Sequence, residues 1–213
     1  MKQLSGKEMM ERVKLIAVLT IGDVENAAPV AKALYEGGVK AVEITFRTTR
    51  AAECIRRVRE EVPDMFVGAG TILTPSQVAD AKAAGAHFGV APGANATIIK
   101  AAKAEGLFFA PGVFTPSDIE LALEHGCTAM KYFPAASLGM AHLRAMSAPY
   151  RHLGVKFIPL GGVNESNLKD FVTDPLIVAV GGSWLATPEM IENLQTSKIR
   201  DNARRAYDII KSA

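Results

Sequence analysis

One lysine lies in an otherwise apolar stretch of this sequence. Lys131 stands within residues 129–133, where the other residues are alanine, methionine, tyrosine and phenylalanine. An ammonium group is costly to bury, so a lysine in such a stretch needs a partner or a chemical purpose. Desolvation favours the neutral amine, which is the form that attacks a carbonyl carbon and forms a Schiff base. The alternative is a lysine at a strand edge, whose charged end reaches solvent.

A carboxylate occurs in a similar setting. Glu43 lies within the run Val39–Thr45, and the two-residue period of a strand places its side chain on the same face as that of Thr45. A buried acid could pass the protons that carbinolamine formation, dehydration and carbon–carbon cleavage each require. It could equally form a static ion pair with Lys131 or with Arg47. A buried acid and a buried lysine are nevertheless the groups that Schiff-base chemistry requires.

Two pairs of glycines follow apolar runs in the C-terminal half of the chain. They are Gly161-Gly162 and Gly181-Gly182, and Ser183 follows the second pair. Glycine has no side chain, so backbone N–H groups can approach an anion closely at such positions. We interpret the two pairs as a phosphate-binding site, and tight loop geometry alone is the alternative.

Eight short runs with strand character alternate with longer helical patterns. Several of these runs are almost entirely apolar, which is typical of strands buried on both faces. The stretches between them have apolar residues three and four positions apart, as amphipathic helices do. Eight such units predict an α/β fold, namely a single (β/α)8 TIM barrel. The predicted strands are Leu15–Leu19, Val39–Thr45, Met65–Gly70, His87–Ala91, Leu107–Ala110, Thr128–Phe133, Lys156–Leu160 and Ile177–Val180.

Local signals support the helix boundaries and a single domain. The segments starting at Thr74 and Thr115 each combine a capping hydroxyl, a proline in the first turn and a polar residue that can complete a capping box. They begin two similar stretches, which is the repetition expected of strand–helix units. Lys2–Arg12 is predicted to form an extra N-terminal helix. No linker or low-complexity stretch divides the chain, so we expect one domain over residues 1–213.

In a barrel of this kind the active site lies at the carboxyl ends of the strands. Lys131 is on the sixth predicted strand, Glu43 is on the second, and the glycine pairs follow the seventh and eighth. The loops after the last two strands are the usual phosphate site of this fold. Arg47 follows the second strand, where it could bind a substrate carboxylate with two parallel hydrogen bonds, or it could be an ordinary surface arginine.

Composition argues against several other classes of protein. The net charge is +2, from 24 basic and 22 acidic side chains without a basic run, so nothing indicates nucleic acid or a membrane surface as a partner. The cysteines do not form a CxxC pair and the histidines are scattered, which argues against a disulfide framework, a zinc site and a metal-dependent aldolase. The sequence has neither a secretory signal pattern nor an apolar stretch of about 20 residues. We therefore expect a cytoplasmic protein.

Six motifs occur along nearly the whole chain: Val42–Thr48, Val67–Thr71, Ala91–Gly93, Lys131–Ala135, Pro159–Val163 and Gly181–Trp184. In this order they resemble the motifs of the KDPG/KHG aldolases, which act on 2-keto-3-deoxy-6-phosphogluconate (KDPG) and 4-hydroxy-2-oxoglutarate (KHG). The resemblance implies a homotrimeric class I aldolase whose partner is a small-molecule substrate and which needs no metal ion and no organic cofactor.

The resemblance also implies roles for individual residues. Lys131 matches the Schiff-base lysine, and Glu43 matches the general acid/base that acts through a water molecule. The implied substrate-binding groups are Arg47 and Thr71 for the pyruvyl carboxylate, Pro92 in the same pocket, Phe133 near the imine, and Gly161, Gly162 and Ser183 for the phosphate. The implied reaction is reversible cleavage of KDPG to pyruvate and glyceraldehyde 3-phosphate, and KHG would give pyruvate and glyoxylate.

Two positions depart from the family pattern. Leu160 stands where many KDPG aldolases have threonine, and the loss of a hydroxyl weakens discrimination between epimers. An aliphatic residue here is common in the aldolases that act on the galactonate epimer, whereas Ser183-Trp184 resembles the gluconate enzymes. The loop Ala135–Gly139 also lacks an acid that many relatives have.

Three hypotheses about function remain open at this point. The first is the pyruvate-dependent aldolase, acting on the gluconate or the galactonate epimer. The second is another phosphate-binding barrel, such as an isomerase or a protein like thiamine-phosphate synthase, which would need no buried lysine on the sixth strand. The third is a non-catalytic barrel that binds phosphosugars, and the presence of both Glu43 and Lys131 argues against it.

Overall fold

Parallel strands and α-helices alternate along the chain in the computed structural model, which describes residues 12–213. The strands are β1 (Leu15–Leu19), β2 (Ala41–Thr45), β3 (Phe66–Gly70), β4 (Phe88–Val90), β5 (Phe108–Ala110), β6 (Gly112–Val113), β7 (Ala129–Tyr132), β8 (Lys156–Pro159) and β9 (Val180–Gly182). The helices are α1 (Ala27–Glu36), α2 (Ala51–Glu61), α3 (Pro75–Ala83), α4 (Ala96–Ala104), α5 (Pro116–Glu124), α6 (Ala135–Ser147), α7 (Leu168–Val172), α8 (Pro188–Glu192) and α9 (Thr196–Lys211), with 3-10 helices at Val24–Asn26 and Ala148–Leu153.

The strands form two parallel sheets. The larger sheet has the order β5-β4-β3-β2-β1-β9, and the smaller has the order β6-β7-β8. Only Pro111 separates β5 from β6, so one extended segment contributes to both sheets. At the other edge, Phe157 of β8 forms an isolated parallel bridge with Ile177, three residues before β9 begins. The two sheets therefore adjoin on both sides, and the α/β alternation expected from the sequence is confirmed.

Two predicted strands differ from the observed ones. The predicted strand Leu107–Ala110 continues beyond Pro111 as β6, because proline has no N–H group and interrupts the ladder without ending the extended chain. The predicted strand Ile177–Val180 lies too early. Its first residue forms only an isolated bridge, and its last residue is the first of β9, which runs from Val180 to Gly182. Glycine occurs in this strand where another side chain approaches closely, since a Cβ at Gly181 would lie only 3.2 Å from Leu160.

The helix caps agree with the sequence signals. The Thr74 and Thr115 hydroxyls accept from the backbone N–H groups of Gln77 and Asp118, and the side chains of these two residues accept in return from the backbone of the threonines. These capping boxes fix where α3 and α5 begin. The predicted N-terminal helix, Lys2–Arg12, lies outside the described residues except for Arg12. None of the helices within residues 12–213 has the length and apolarity needed to span a bilayer.

The core has two parts. The larger lies between the sheets and the helices, and the smaller lies between the inner faces of the two sheets. Ala41 belongs to the inner cluster and Phe133 packs against it, so Glu43 and Lys131, each two residues away along its strand, point to the same interior. The buried residues of the inner cluster are Ile16, Ala41, Phe88, Val90, Ala110, Ile158, Leu160, Val178 and Ala179.

Candidate active site

Lys131 lies in the interior, in the middle strand of the smaller sheet. It is in register with Gly112 of β6 and Ile158 of β8, and it is only 4% exposed. Its Nζ donates to Oε1 of Glu43 over 3.3 Å. The amine therefore does not reach solvent, and a carboxylate from the opposite sheet is its partner.

Glu43 lies on β2, in the larger sheet, and is 1% exposed. Its register partner on β3 is Gly68, and its carboxylate packs over Gly70, where a Cβ would overlap Oε1. Glycine at position 70 therefore gives the carboxylate the space from which it meets Lys131. An ion pair as deeply buried as this one recovers its desolvation cost only through close, well-oriented contact.

The ring of Phe133 forms one wall beside the amine. The Nζ of Lys131 lies 5.4 Å from the centroid of the Phe133 ring. The ring also packs on Gly161, where a Cβ would lie 2.8 Å from Cε2 of Phe133. Phe133 therefore contacts the loop that follows β8 and lies near the amine.

Arg47 and Thr71 form a polar pair at the carboxyl ends of β2 and β3. The Nε of Arg47 donates to Oγ1 of Thr71 over 3.4 Å, and Arg47 is exposed. In the described part of the chain, the terminal nitrogens of Arg47 form no salt bridge. Thr71 has a φ of 55°, a left-handed conformation that is strained for a β-branched residue. Thr71 directly follows Gly70, so this pair adjoins the Glu43 carboxylate.

Pro92 lies one strand away from the lysine. A Cβ at Gly112 would overlap the carbonyl group of Pro92, and Gly112 is the register neighbour of Lys131. The N–H group of Gly112 donates to the carbonyl of Gly93 over 3.3 Å. Glycine at position 112 therefore lets the Pro92 loop approach the strand that carries the amine.

The loops after β8 and β9 meet at the same end of the strands. Gly161 and Gly162 have φ values of 90° and 75°, which lie in the left-handed region that favours glycine. In the second loop, the indole ring of Trp184 covers Gly182, and a Cβ at Gly182 would lie 3.0 Å from the carbonyl oxygen of Val163. Ser183 is exposed. The two glycine pairs predicted from the sequence are therefore neighbours in space.

Leu160 lies inside the fold, at the carboxyl end of β8. It is 3% exposed and belongs to the inner cluster. It therefore presents an aliphatic surface where the sequence comparison with the family led us to expect a hydroxyl.

Sequence reasoning did not single out Gly70, Gly112 or Thr20. The first two make room for the Glu43 carboxylate and the Pro92 carbonyl, and glycine inside a strand is a known signal of such close approach. The hydroxyl of Thr20 lies 2.9 Å from that of the buried Thr45, at the end of β2. No sequence signal links these two threonines, because 25 residues separate them.

The arrangement combines a buried primary amine, a carboxylate within hydrogen-bond distance, an exposed guanidinium group and two adjacent pairs of glycines. An amine and an acid in this geometry can form an imine and transfer protons around it. Over residues 12–213, no group of three or more histidine, cysteine, aspartate or glutamate side chains is close enough together to hold a metal ion.

Comparison with known proteins gives a consistent result. The family model described as KDPG and KHG aldolase matches residues 7–201. The 2-dehydro-3-deoxy-phosphogluconate aldolase of Treponema pallidum is 40% identical over 95% of this chain and 96% of its own length. The KHG/KDPG aldolase of Escherichia coli K12 is 35% identical over 96% of this chain and 95% of its own.

A solved structure is similar over the same extent. It is the KDPG aldolase of Legionella pneumophila, with pyruvate captured at low pH as a covalent carbinolamine intermediate. The identity is 34%, the TM-score is 0.88, and the match covers 94% of this chain and 97% of the Legionella chain.

Proposed function

This chain belongs to the KDPG and KHG aldolase family, and from this premise we infer that it is a class I aldolase, a carbon–carbon lyase that cleaves KDPG reversibly to pyruvate and glyceraldehyde 3-phosphate. The observation that carries the assignment is the buried pair of Lys131 and Glu43, with Nζ and Oε1 3.3 Å apart. A fold that needed only structural contacts at this place would be served better by apolar side chains. The same chemistry would cleave KHG to pyruvate and glyoxylate.

We assign the imine to Lys131 and the proton transfers to Glu43. The neutral amine of Lys131 attacks the keto carbon C2, and the carbinolamine then loses water to give an iminium ion. A proton leaves the C4 hydroxyl group, the C3–C4 bond breaks, and its electron pair moves to the iminium to give an enamine. Protonation of C3 and hydrolysis of the imine release pyruvate. Glu43, acting through a water molecule, accepts and returns these protons.

We assign the pyruvyl carboxylate to Arg47 and Thr71, with Pro92 lining the same pocket and Phe133 packed beside the imine. The support is geometric, because the Arg47–Thr71 pair adjoins Gly70 and the Glu43 carboxylate. A guanidinium group can hold a carboxylate with two parallel hydrogen bonds, which orients C2 toward the amine.

We assign the substrate phosphate to the loop after β8 and to the end of β9 with the loop that follows it. The residues are Gly161, Gly162, Gly182 and Ser183. The contact between these loops at Gly182 and the exposed hydroxyl of Ser183 support the assignment. Backbone N–H groups in glycine loops are suited to bind the oxygens of a phosphate.

A trapping experiment tests the chemistry. The protein is incubated with pyruvate, reduced with borohydride and digested, and the modified lysine is mapped by mass spectrometry. We expect a stable adduct on Lys131. The Lys131→Met variant should give none, whereas the matched Lys156→Met variant, which changes a β8 lysine whose Nζ donates to the Pro175 carbonyl, should retain it. Absence of an adduct in the wild type, or an adduct on another lysine, would contradict the assignment.

The galactonate epimer is a second candidate substrate, favoured by Leu160. A buried aliphatic side chain offers no hydrogen bond to the hydroxyl groups in which the two epimers differ. The test is a comparison of kcat/KM for the gluconate epimer, the galactonate epimer and KHG. A preference of more than about a hundredfold for the gluconate epimer would exclude this candidate.

We also propose that the two sheets close into one (β/α)8 barrel, and that residues 1–213 form a single domain. The N–H group of Lys131 donates to the carbonyl of Pro111 over 2.9 Å, between β7 and the segment that joins β5 to β6. On the opposite side, Val178 donates to Phe157 over 3.0 Å, and β9 pairs with β1. These contacts support a continuous ring of strands. Thermal unfolding tests the single domain. The chain of residues 1–213 should unfold in one cooperative transition, and so should a variant truncated by residues 1–11.

For the assembly we propose a homotrimer in the cytoplasm. Leu73 and Phe114, which are 56% and 46% exposed, follow β3 and β6 at the active-site end and offer apolar surface for an interface. The two free cysteines are consistent with a reducing compartment. Sedimentation equilibrium should give a mass three times the 22.7 kDa of one chain, and a monomer mass would contradict the trimer.

A further inference from the structure

The C-terminal helix α9 carries a buried amide side chain. Asn202 is 7% exposed, and the other buried side chains of this helix are apolar. A buried amide is stable only where its N–H and C=O groups have partners. The partners of Asn202 connect α9 to the two loops assigned to the phosphate.

The amide nitrogen of Asn202 binds the loop after β9. Its Nδ2 lies 3.3 Å from the carbonyl oxygens of Trp184 and Leu185, and 3.6 Å from Sδ of Met190. Within residues 12–213 no other group donates to either carbonyl. Leu185 is fully buried, so its carbonyl has no solvent to replace this donor. Asn202 therefore holds the backbone that directly follows Ser183.

The amide oxygen of Asn202 is connected to the loop after β8 through Arg205. It accepts from Nη2 of Arg205 over 2.7 Å, and Nε of Arg205 lies 3.2 and 3.1 Å from the carboxylate oxygens of Glu165. Glu165 lies in the segment between Gly162 and α7. One side chain of α9 is thus bonded to one loop directly and to the other through a single arginine.

The same two loops touch at Gly182. The Trp184 ring and the Val163 carbonyl both lie where a Cβ at Gly182 would be, at 3.0 Å in the case of the Val163 oxygen. A small shift of the segment at Trp184 would therefore change the distance between the glycine pairs, and the N–H groups of both pairs must point at the same anion to bind it well.

We propose that Asn202 is a positioning residue, which sets the affinity for the substrate phosphate by holding the loop after β9 against the loop after β8. The proposal rests on the proposed function, because that function assigns the phosphate to these loops. The side-chain partners of Asn202 in the described part of the chain include neither Lys131 nor a residue assigned to the substrate. Its loss should weaken binding of the phosphate and leave the imine chemistry intact.

The test compares a substrate that has a phosphate with one that lacks it. The variant is Asn202→Leu, which keeps the approximate size and favours the helix, but removes the hydrogen bonds. The matched control is Asn193→Leu, since Asn193 is exposed and bonds only to the nearby Glu189 carbonyl. Steady-state kinetics with KDPG and with KHG are combined with titration of inorganic phosphate, followed by the fluorescence of Trp184, the only tryptophan of the chain.

For Asn202→Leu we expect KM for KDPG and Kd for phosphate to rise about tenfold, the effect of losing one to two hydrogen bonds. We expect kcat/KM for KHG to remain within about twofold of the wild type. Asn193→Leu should change neither value. The proposal is overturned if Asn202→Leu binds phosphate as the wild type does, or if activity toward both substrates falls equally.

A pair of surface variants separates positioning from plain electrostatics, and it decides the question if Asn202→Leu does not fold. Arg205→Gln removes a positive charge near the phosphate loops, and Glu165→Gln removes a negative one. If the ion pair positions the loops, both variants raise Kd for phosphate, by about twofold to fourfold. If the field alone matters, Glu165→Gln lowers Kd, and this result, or no change in either variant, overturns the proposal.

Failure of the proposed function has a different signature. A wild type that forms no Lys131 adduct and cleaves neither substrate would refute the aldolase. The phosphate titration would still compare the wild type with Asn202→Leu, so the positioning role would be decided independently.

Discussion

Glycine at position 70 leaves the space that the Glu43 carboxylate occupies. In Gly70→Ala, the new Cβ would lie 2.6 Å from both Cγ and Cδ of Glu43, and it would overlap Oε1. Carbon atoms in contact are about 3.5–4.0 Å apart, so the carboxylate must retreat by about 1 Å. Glu43 is 1% exposed and has no open solvent to move into. The substitution therefore changes the 3.3 Å contact with Lys131 while it leaves both side chains present.

A displacement of about 1 Å in a catalytic group costs on the order of a hundredfold in rate. We expect kcat of Gly70→Ala for KDPG to fall by about that factor. KM should change by less than about threefold, because the substitution leaves unchanged the residues to which we assign the substrate carboxylate and phosphate. Steric crowding should also lower the free energy of unfolding by about 1–3 kcal/mol.

Pyruvate release measures kcat, borohydride trapping measures the rate of imine formation, and urea denaturation measures stability. Gly22→Ala is the matched control, since a Cβ at Gly22 would meet nothing within 4 Å. It should behave as the wild type in all three assays. A folded Gly70→Ala protein whose kcat lies within threefold of the wild type would show that the position of the Glu43 carboxylate does not limit the reaction.

Three further predictions follow from single contacts. Burial lowers the pKa of His87 from 6.5 to about 4, and its Nδ1 accepts from the Val67 N–H group over 3.0 Å. Because the unfolded chain binds the proton more tightly, the free energy of unfolding should fall by about 2 kcal/mol between pH 6.5 and pH 4, after allowance for partial exposure. Urea denaturation across this range should show a smaller loss in His87→Gln, and an equal loss in both proteins would exclude His87 as the source. Arg47→Lys should raise KM for pyruvate in the trapping assay by about tenfold, because lysine cannot form two parallel hydrogen bonds to a carboxylate; an unchanged KM would place that carboxylate elsewhere. Leu160→Thr should shift the ratio of kcat/KM for the two epimers by about tenfold in favour of the gluconate epimer, because many KDPG aldolases have threonine at this position. An unchanged ratio would show that this position does not contact the hydroxyl groups.

The strand pattern and the two central residues could be predicted from the sequence because both depend on local periodicity. A lysine among apolar residues and a glutamate in a buried strand are visible within a window of five to seven residues. The distance between them is not, since 88 residues separate Glu43 from Lys131 along the chain. The strand order and the way in which the two sheets face each other determine that contact, and the sequence indicated only that both side chains face the interior.

Features that depend on the absence of a side chain could not be predicted in the same way. Gly70 and Gly112 matter because of the groups that pack against them from other parts of the fold, namely Glu43 and Pro92. The start of β9 was misplaced for a related reason, since glycine pairs are typical of loops and Gly181-Gly182 lies in a strand. The role that we propose for Asn202 could not be predicted from the sequence either. An asparagine in an amphipathic helix is usually a surface residue, and only the structure gives its hydrogen-bond partners.

The buried ion pair also has a consequence for the design of new proteins on this scaffold. Replacement of both members of a buried pair by apolar residues of similar volume often stabilises a protein, whereas removal of one member leaves a charge without its partner. Lys131 and Glu43 come from different sheets, so a double replacement by methionine and leucine would join the two halves of the interior by apolar packing. We expect the resulting protein to lack aldolase activity and to have a higher free energy of unfolding. The wild-type sequence thus keeps the Lys131–Glu43 pair at the expense of stability that the same backbone could provide.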